Sequence, residues 1–382
     1  MENFIAYNPT SLHFGKNVLN NLGTTVALFG KKVLLVYGKG SIKKSGLYEK
    51  VMFQLNEVGA KVFEYSGIKS NPIIDDVNAA AEIGRKNNVD VVLAVGGGSV
   101  IDSAKIISIA LHVKNDAWDF FEYKIKPEKA SPLIAVLTLA ATGTEMNPYA
   151  VVQNPKTGQK PGYGGPLMYP KHSFLDPQNT FSVPKDYTAF GIVDLIAHSL
   201  EAYFGKGDAT LSDKFVFATI KEALEFGPLL MEDLNNYDLR AKIMYAATAA
   251  LNGLNSYGRV SGDWGVHGIG HSLSVLYDTP HGASLSIAYP AWLKLQKDRI
   301  PERIEKLGFE LFNSESVDDT IYKLEYFFKL IGSPTRLSDI GINIETEKEL
   351  IYENMKINKV NGANQKLTGP DFLTLIDLMD AE

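Results

Sequence analysis

The segment VDVVLAVGGGS, Val89–Ser99, constrains this chain more than any other stretch. Its apolar run carries no polar alternation, so it reads as a strand buried on both faces. The glycines stop it abruptly, and a helical pattern over Val100–Leu111 begins at once. A doubly buried strand that feeds directly into a helix belongs to a parallel sheet flanked by helices.

The neighbouring segments repeat the theme. KKVLLVYG (Lys31–Gly38) is apolar, β-branched and ends on glycine, so it predicts a strand. A helical pattern follows from about Lys44 to Val58. KVFEYS (Lys61–Ser66) predicts a strand, Asp75–Asn87 a helix, and PLIAVLT (Pro132–Thr138) a further strand. Strand and helix in alternation imply parallel pairing. After about Pro184 periods near 3.6 dominate. TAFGIVDLIAHSLEAYF, LSDKFVFATIKEALEFG and RAKIMYAATAALNGLN all read as helices. The division expected is an α/β domain over residues 1–184 and an all-α domain over 185–382.

Three glycine- or threonine-rich turns sit where strands end. GGGSVIDSAK places Gly96, Gly97, Gly98 and Ser99 between the buried strand and its helix. Small residues there let the backbone approach a bulky anion, and the helix N-terminus offers free N–H groups and a positive dipole end. The GK[ST] ending of a phosphate loop is missing, so a diphosphate cradle is expected rather than a nucleotide triphosphatase site. The bland alternative is a tight structural turn. YGKGSIKK, Tyr37–Lys44, repeats the logic with Gly38, Gly40 and Ser41, and is equally an ordinary turn. TLAATGTEMN, Thr138–Asn147, carries hydroxyls that suit a polar ligand, but alone it reads better as a loop of capping threonines. Lys39, Lys43 and Lys44 read as a solvated edge unless the adjacent loop holds a phosphate.

Histidine spacing is the sharper signal. DLIAH sets Asp194 and His198 four apart in a helical pattern, so both lie on one face. WGVHGIGH repeats the spacing with His267 and His271, and His281 follows in DTPHG. The chain holds 7 histidines and no cysteine, which removes thiolate chemistry and cysteine metal sites. A carboxylate with imidazoles suits a divalent first-row ion such as Fe²⁺ or Zn²⁺. The spacing leaves His267, His271 and His281 equally eligible as ligands. Single histidines of this kind would be surface or core residues; two i,i+4 pairs with a third histidine nearby favour the metal.

These motifs resemble the iron-dependent (group III) alcohol dehydrogenases, in particular their butanol dehydrogenase and broad-range aldehyde reductase branch. The likeness is collinear from FGK (Phe14–Lys16) and YGKGSIKK through GGGSVID, TLAATGTE, LDP (Leu175–Pro177) and GIVDLIAHSLEAYF to DWGVHGIGHSLSVLYDTPHG and AYPAW. The resemblance implies a dehydroquinate-synthase-like fold, with a dinucleotide-binding domain followed by a helical metal-binding domain. It implies Asp194, His198, His267 and His281 as metal ligands and His271 as a non-ligand near the nicotinamide. It extends the expected cofactor contacts from the glycine turns to Asp102, Thr138, Thr142, Asn147 and Lys160. The reaction implied is hydride exchange between a primary alcohol or its aldehyde and a nicotinamide, with the ion as Lewis acid.

Cofactor choice, assembly and location follow as expectations. Relatives that prefer NAD carry aspartate at the position of Gly38; glycine there removes the ribose hydrogen bonds and the repulsion of a 2′-phosphate, so NADP(H) is expected over NAD(H). SLHFG (Ser11–Gly15) resembles the family's extended arm, which pairs between subunits, so a homodimer is expected. MENFIAYNPTSLHFG lacks a basic stretch ahead of an apolar core, no run is long enough for a bilayer, and the net charge is −6; a cytoplasmic enzyme without nucleic-acid or membrane partners is expected. Three departures stand out: Gly270 where many members carry glutamate, Lys39 where this branch often has glycine, and a segment after Asn364 with no match. The rivals are a lyase or synthase of the dehydroquinate type and a non-catalytic nucleotide-binding protein, although the intact Asp and His set speaks against the latter.

Overall fold

The computed structural model describes residues 1–381. They form two compact units, Tyr7–Val183, and Met1–Ala6 together with the chain from Pro184 onward.

The first unit is built on a six-stranded sheet. Its strands are β1 (Ser11–Phe14), β2 (Lys32–Gly38), β3 (Lys61–Ile68), β4 (Val91–Gly96), β5 (Leu133–Leu137) and β8 (His172–Leu175). The order is β1-β8-β5-β4-β2-β3, and every pairing is parallel. A short antiparallel hairpin, β6 (Tyr149–Val151) and β7 (Gly162–Gly164), lies outside it. The apolar runs of β2, β4 and β5 are buried along almost their whole length, as strands covered by helices on both faces must be. Lys61, Glu64 and Ser66 mark β3 as an edge strand. The helices are α1 (Leu22–Ala27), α2 (Ser41–Lys44), α3 (Leu47–Glu57), α4 (Ile74–Asn87), α5 (Gly98–Ala110) and α6 (Trp118–Phe121). The helix expected from about Lys44 to Val58 is α3; it starts at Leu47 because Gly46 stands before it in the left-handed region at φ 76, and the short α2 lies ahead of that glycine.

Register decides what the sheet presents. Tyr37 lies opposite Val95, and Gly96 opposite Leu137. The turns after β2, β4 and β5 therefore leave the sheet side by side at the same end. The chain steps outward from β2 to β3 and returns on the other side of β2 to β4, so the order reverses between β2 and β4. In open parallel sheets that reversal is where ligands are taken up.

The second unit is helical. It contains α7 (Lys185–Tyr203), α8 (Thr210–Glu232), α9 (Tyr237–Ala250), α10 (Gly265–Tyr277), α11 (His281–Gln296), α12 (Pro301–Phe312), α13 (Val317–Leu330), α14 (Ile344–Ile357) and α15 (Gly369–Leu378). Helix α7 is buried on every side over most of its length and packs against α8, α9 and α11. A Cβ on Gly282 would come within 2.1 Å of the Phe190 carbonyl oxygen, so only glycine lets the start of α11 lie against α7. The first residues of the chain dock here as well: the Glu2 N–H donates to the Gly258 carbonyl at 2.9 Å, and Phe4 stacks on Tyr257 at 5.3 Å. No helix among the described residues is long and apolar enough to cross a membrane.

Candidate metal and cofactor sites

Helix packing in the second unit brings three separate segments to one point. Asp194 and His198 sit one turn apart on α7, His267 in the first turn of α10, and His281 opens α11. The ligand atoms of Asp194, His267 and His281 all lie within 4.8 Å of one another. Asp194 Oδ1 is 3.6 Å from His281 Nε2, 3.9 Å from His267 Nε2 and 3.6 Å from His198 Nδ1. The His198 ring stacks on His267 at 4.7 Å, outside the tighter group of three. His198 Nδ1 is buried with no hydrogen-bond partner among the described residues. Burial pulls the His198 pKa well below the ordinary imidazole value, with His267 adding to the effect, so the ring is neutral. A neutral imidazole with a buried, unpartnered nitrogen beside a carboxylate is the donor chemistry a divalent ion requires. His271 lies one turn further along α10, its ring 5.3 Å from His281 and 6.4 Å from His267.

Glu201 escaped the motif reading. It is buried on α7, seven residues after Asp194 and three after His198, so it continues the same helical stripe. Its Oε1 faces His267 Nδ1 at 2.8 Å and accepts the His267 main-chain N–H at 3.0 Å, while Oε2 accepts the Trp264 N–H. Burial pushes the Glu201 pKa up to about 8, and the donated N–H bonds pull it back. Trp264 holds a left-handed conformation at φ 64, and the Glu201 bond fixes this turn at the mouth of α10. Asp263 beside it accepts from the main-chain N–H groups of Asn364 and Gln365, tying the carboxyl-terminal segment to the turn. Gly270 has a packing reason: a Cβ there would approach Ser284 Oγ to 2.7 Å, so α10 and α11 meet where many family members carry glutamate.

The glycine turns of the first unit divide their roles. A Cβ on Gly96 would meet Val100 Cγ2 at 2.5 Å, and one on Gly98 would meet Thr142 Cγ2 at 2.5 Å. Both glycines therefore permit close packing, the second by seating the 138–147 loop on the start of α5. That helix begins without a side-chain cap and without an acidic residue in its first turn, which leaves its positive end for an anion. The Ser99 hydroxyl is turned away, donating to the Ser70 carbonyl. The neighbouring Asn71 accepts from Lys160 Nζ at 2.7 Å. The Thr138 N–H donates to the Gly96 carbonyl at 3.0 Å, and Thr142 Oγ1 accepts the Thr144 N–H at 3.2 Å. Asn147 is committed to the loop itself: its oxygen accepts from Lys105 and the Tyr149 N–H, and its amide donates to the Gly143 carbonyl. Asp102 accepts from the Thr144 hydroxyl at 2.5 Å and from the Val151 N–H at 2.8 Å.

At the end of β2, Gly38 has ordinary backbone geometry, and its missing Cβ would meet only the Ile68 carbonyl oxygen at 3.5 Å. Gly40 stands at φ 135, and Ser41 starts α2 on the exposed surface. Lys43 is held over the rings of Tyr37 and Tyr48, at 5.3 and 4.7 Å from their centroids. Both tyrosines donate to Glu64, and that bond pushes Tyr48 up to about 12. Lys39 is exposed.

A parallel sheet with an uncapped glycine turn at its switch point, followed by a helical unit with a histidine and carboxylate cluster, defines a dinucleotide-dependent oxidoreductase. The chain belongs to the iron-containing alcohol dehydrogenase family: the family's profile matches residues 9–177, and its profile for the carboxyl-terminal part matches 188–377. That second match extends past Asn364 to residue 377, into the segment that the motifs left unassigned. The chain is 42% identical to the probable NADH-dependent butanol dehydrogenase 1 of Bacillus subtilis, over 98% of this chain and 99% of the relative. It is 35% identical to the NADPH-dependent aldehyde reductase YqhD of Escherichia coli, over 90% of each. The crystal structure of NADH-dependent butanol dehydrogenase A from Thermotoga maritima superposes with a TM-score of 0.96 at 38% identity, covering 100% of this chain and 99% of that one. The protein is thus an enzyme of the alcohol dehydrogenase class, which sets aside both the lyase and the non-catalytic readings.

Proposed function

We propose that this protein interconverts primary alcohols and aldehydes of the butanol and butyraldehyde kind, with NADP(H) carrying the hydride. In this reading one divalent ion, Fe²⁺ or Zn²⁺, is held by Asp194, His198, His267 and His281. The observation that carries it is the convergence of three buried or half-buried ligand atoms within 4.8 Å, with His198 alongside. A bound ion there supplies Lewis acidity toward the substrate oxygen, and the nicotinamide supplies or accepts hydride. The protein's own part is to hold the ion on these side chains, His198 among them as a neutral imidazole, and to move one proton. His271, outside the ligand group but 5.3 Å from His281, suits proton exchange with bulk solvent or the cofactor ribose.

The NADP(H) preference rests on the end of β2, which offers no carboxylate to a ribose and leaves Gly40, Ser41 and the exposed Lys39 for a 2′-phosphate. The names of relatives do not decide it, since butanol dehydrogenases at 37–42% identity are called NADH-dependent and an aldehyde reductase at 35% NADPH-dependent. A homodimer joined through the β1 edge completes the reading. The test is a panel of short aldehydes and alcohols with Fe²⁺, Zn²⁺ or chelator, followed by nicotinamide absorbance. Metal-dependent turnover is expected. No net change in cofactor on any substrate, or full activity after complete metal removal, overturns it.

A further inference from the structure

Helix α5 carries one lysine that packing does not explain. Lys105 is fully buried, two turns beyond the glycine turn. Burying an ammonium is costly, and an apolar side chain of similar volume would pack there with no such penalty. The charge is nevertheless well accommodated. Its Nζ donates to Thr144 Oγ1 at 2.6 Å, to the Tyr149 carbonyl at 2.6 Å and to Asn147 Oδ1 at 3.0 Å. Three acceptors use all the N–H groups an ammonium has. The Thr144 hydroxyl donates in turn to Asp102 Oδ1, so an ammonium and a carboxylate are joined through one hydroxyl. Burial draws the Lys105 pKa down to about 7, while Asp102 and Glu145 oppose it.

Everything Lys105 grips belongs to the segment between β5 and the first residue of β6. Thr144, Asn147 and Tyr149 follow β5 and immediately succeed Thr142, whose methyl lies against Gly98 at the start of α5. Thr144 in turn donates its N–H to Thr142 Oγ1. We propose that Lys105 is a positioning residue for the nicotinamide cofactor: through Thr144 and Asn147 it sets the 142–149 loop against the Gly96–Ser99 turn, and so shapes the cradle without touching the ligand. The inference rests on the proposed function, because it takes that turn as the diphosphate site.

The test compares Lys105→Met, Thr144→Val and Thr144→Ser in the full-length, metal-loaded protein. NADPH and NADH affinities are read by fluorescence titration, alongside the cofactor KM, kcat at saturating cofactor, metal content and Tm. Lys105→Met and Thr144→Val should weaken cofactor binding roughly tenfold to hundredfold, the range for a lost hydrogen bond to a charged group. Metal content and saturating kcat should hold, and Thr144→Ser, which keeps the hydroxyl, should bind like wild type. If Lys105→Met does not fold, Thr144→Val decides. Folded variants that lose Tm but keep wild-type cofactor affinity overturn the inference alone. Wild-type protein that binds neither cofactor overturns the functional reading and this inference with it.

Discussion

Glu201 Oε1 lies 2.8 Å from His267 Nδ1 while also accepting the His267 main-chain N–H. In its ionised form Glu201 accepts the Nδ1 proton's hydrogen bond and leaves the Nε2 lone pair facing Asp194 Oδ1, 3.9 Å away. A single buried side chain on α7 thus sets both the tautomer of an imidazole on α10 and the turn at Trp264 that starts the helix.

Glu201→Gln should therefore weaken metal binding while leaving the fold intact. The amide has one oxygen where three partners now share two, so its NH2 must face either the Trp264 N–H or the His267 pair, and the His267 tautomer is no longer enforced. A loss of about 10–100-fold in metal affinity is expected for a missing partner of this kind. Competition titration of the purified variant against a chromophoric chelator measures it; wild-type affinity would show that Glu201 only packs.

His267→Ala and His271→Ala should separate cleanly. The first removes a nitrogen from the cluster, so bound metal and turnover should fall together. The second leaves the cluster intact, so metal should stay while turnover drops roughly 10²–10⁴-fold if His271 relays protons. Elemental analysis beside kcat checks both. Equal metal loss in the two variants would make His271 a ligand.

Much of this was legible in the chain itself. The β4–α5 junction, the parallel sheet and the three glycine or threonine turns follow from apolar runs that stop at small residues, and register then places the turns together. Asp194 with His198, and His267 with His271, could be singled out because histidine, with 7 in the chain, recurs there at helical spacing, whereas the preference for His281 over His271 as a ligand came only from the family resemblance. Glu201 and Lys105 could not be found that way: glutamate and lysine are common, and their role comes from burial, which only tertiary packing reveals. The signal available was a charged residue placed on an otherwise apolar stripe, as Lys105 is within VIDSAKIISIA. Likewise the demand for glycine at 96 and 98 was read as room for an anion, whereas the nearest atoms are Val100 and Thr142 of the protein.

That packing makes Gly98→Ala informative. The added methyl would stand 2.5 Å from Thr142 Cγ2, so the loop must shift. Overpacking of this kind costs about 1–3 kcal/mol. A lowered Tm together with weaker cofactor binding is expected, and unchanged values for both would mean that the loop yields freely.

Strand β1 ends the sheet, paired only with β8 among the described residues. A terminal strand with a free edge is a template for association unless it is covered. Light scattering at micromolar concentration should give a dimer mass, and a Pro substitution at Leu12 should shift it toward monomer. A clean monomer for the wild type refutes the assignment.

Cofactor choice is tested at Gly38. A side chain there meets nothing closer than 3.5 Å and needs no unusual backbone angle, so Gly38→Asp should fold normally. The aspartate would place a carboxylate where a 2′-phosphate is expected, adding repulsion for NADP(H) and ribose hydrogen bonds for NAD(H). Lys43 lies over the Tyr37 and Tyr48 rings, whereas Lys39 is exposed beside the turn. The ratio of kcat/KM for NADPH over NADH should exceed one in the wild type and fall by at least about tenfold in the variant, mainly through the NADPH KM. Lys39→Ala should lower NADPH efficiency by a smaller factor and leave NADH unchanged, since an exposed charge contributes about 1 kcal/mol or less. A wild-type ratio favouring NADH tenfold or more would reverse the cofactor assignment while leaving the metal site and the alcohol dehydrogenase chemistry as they stand.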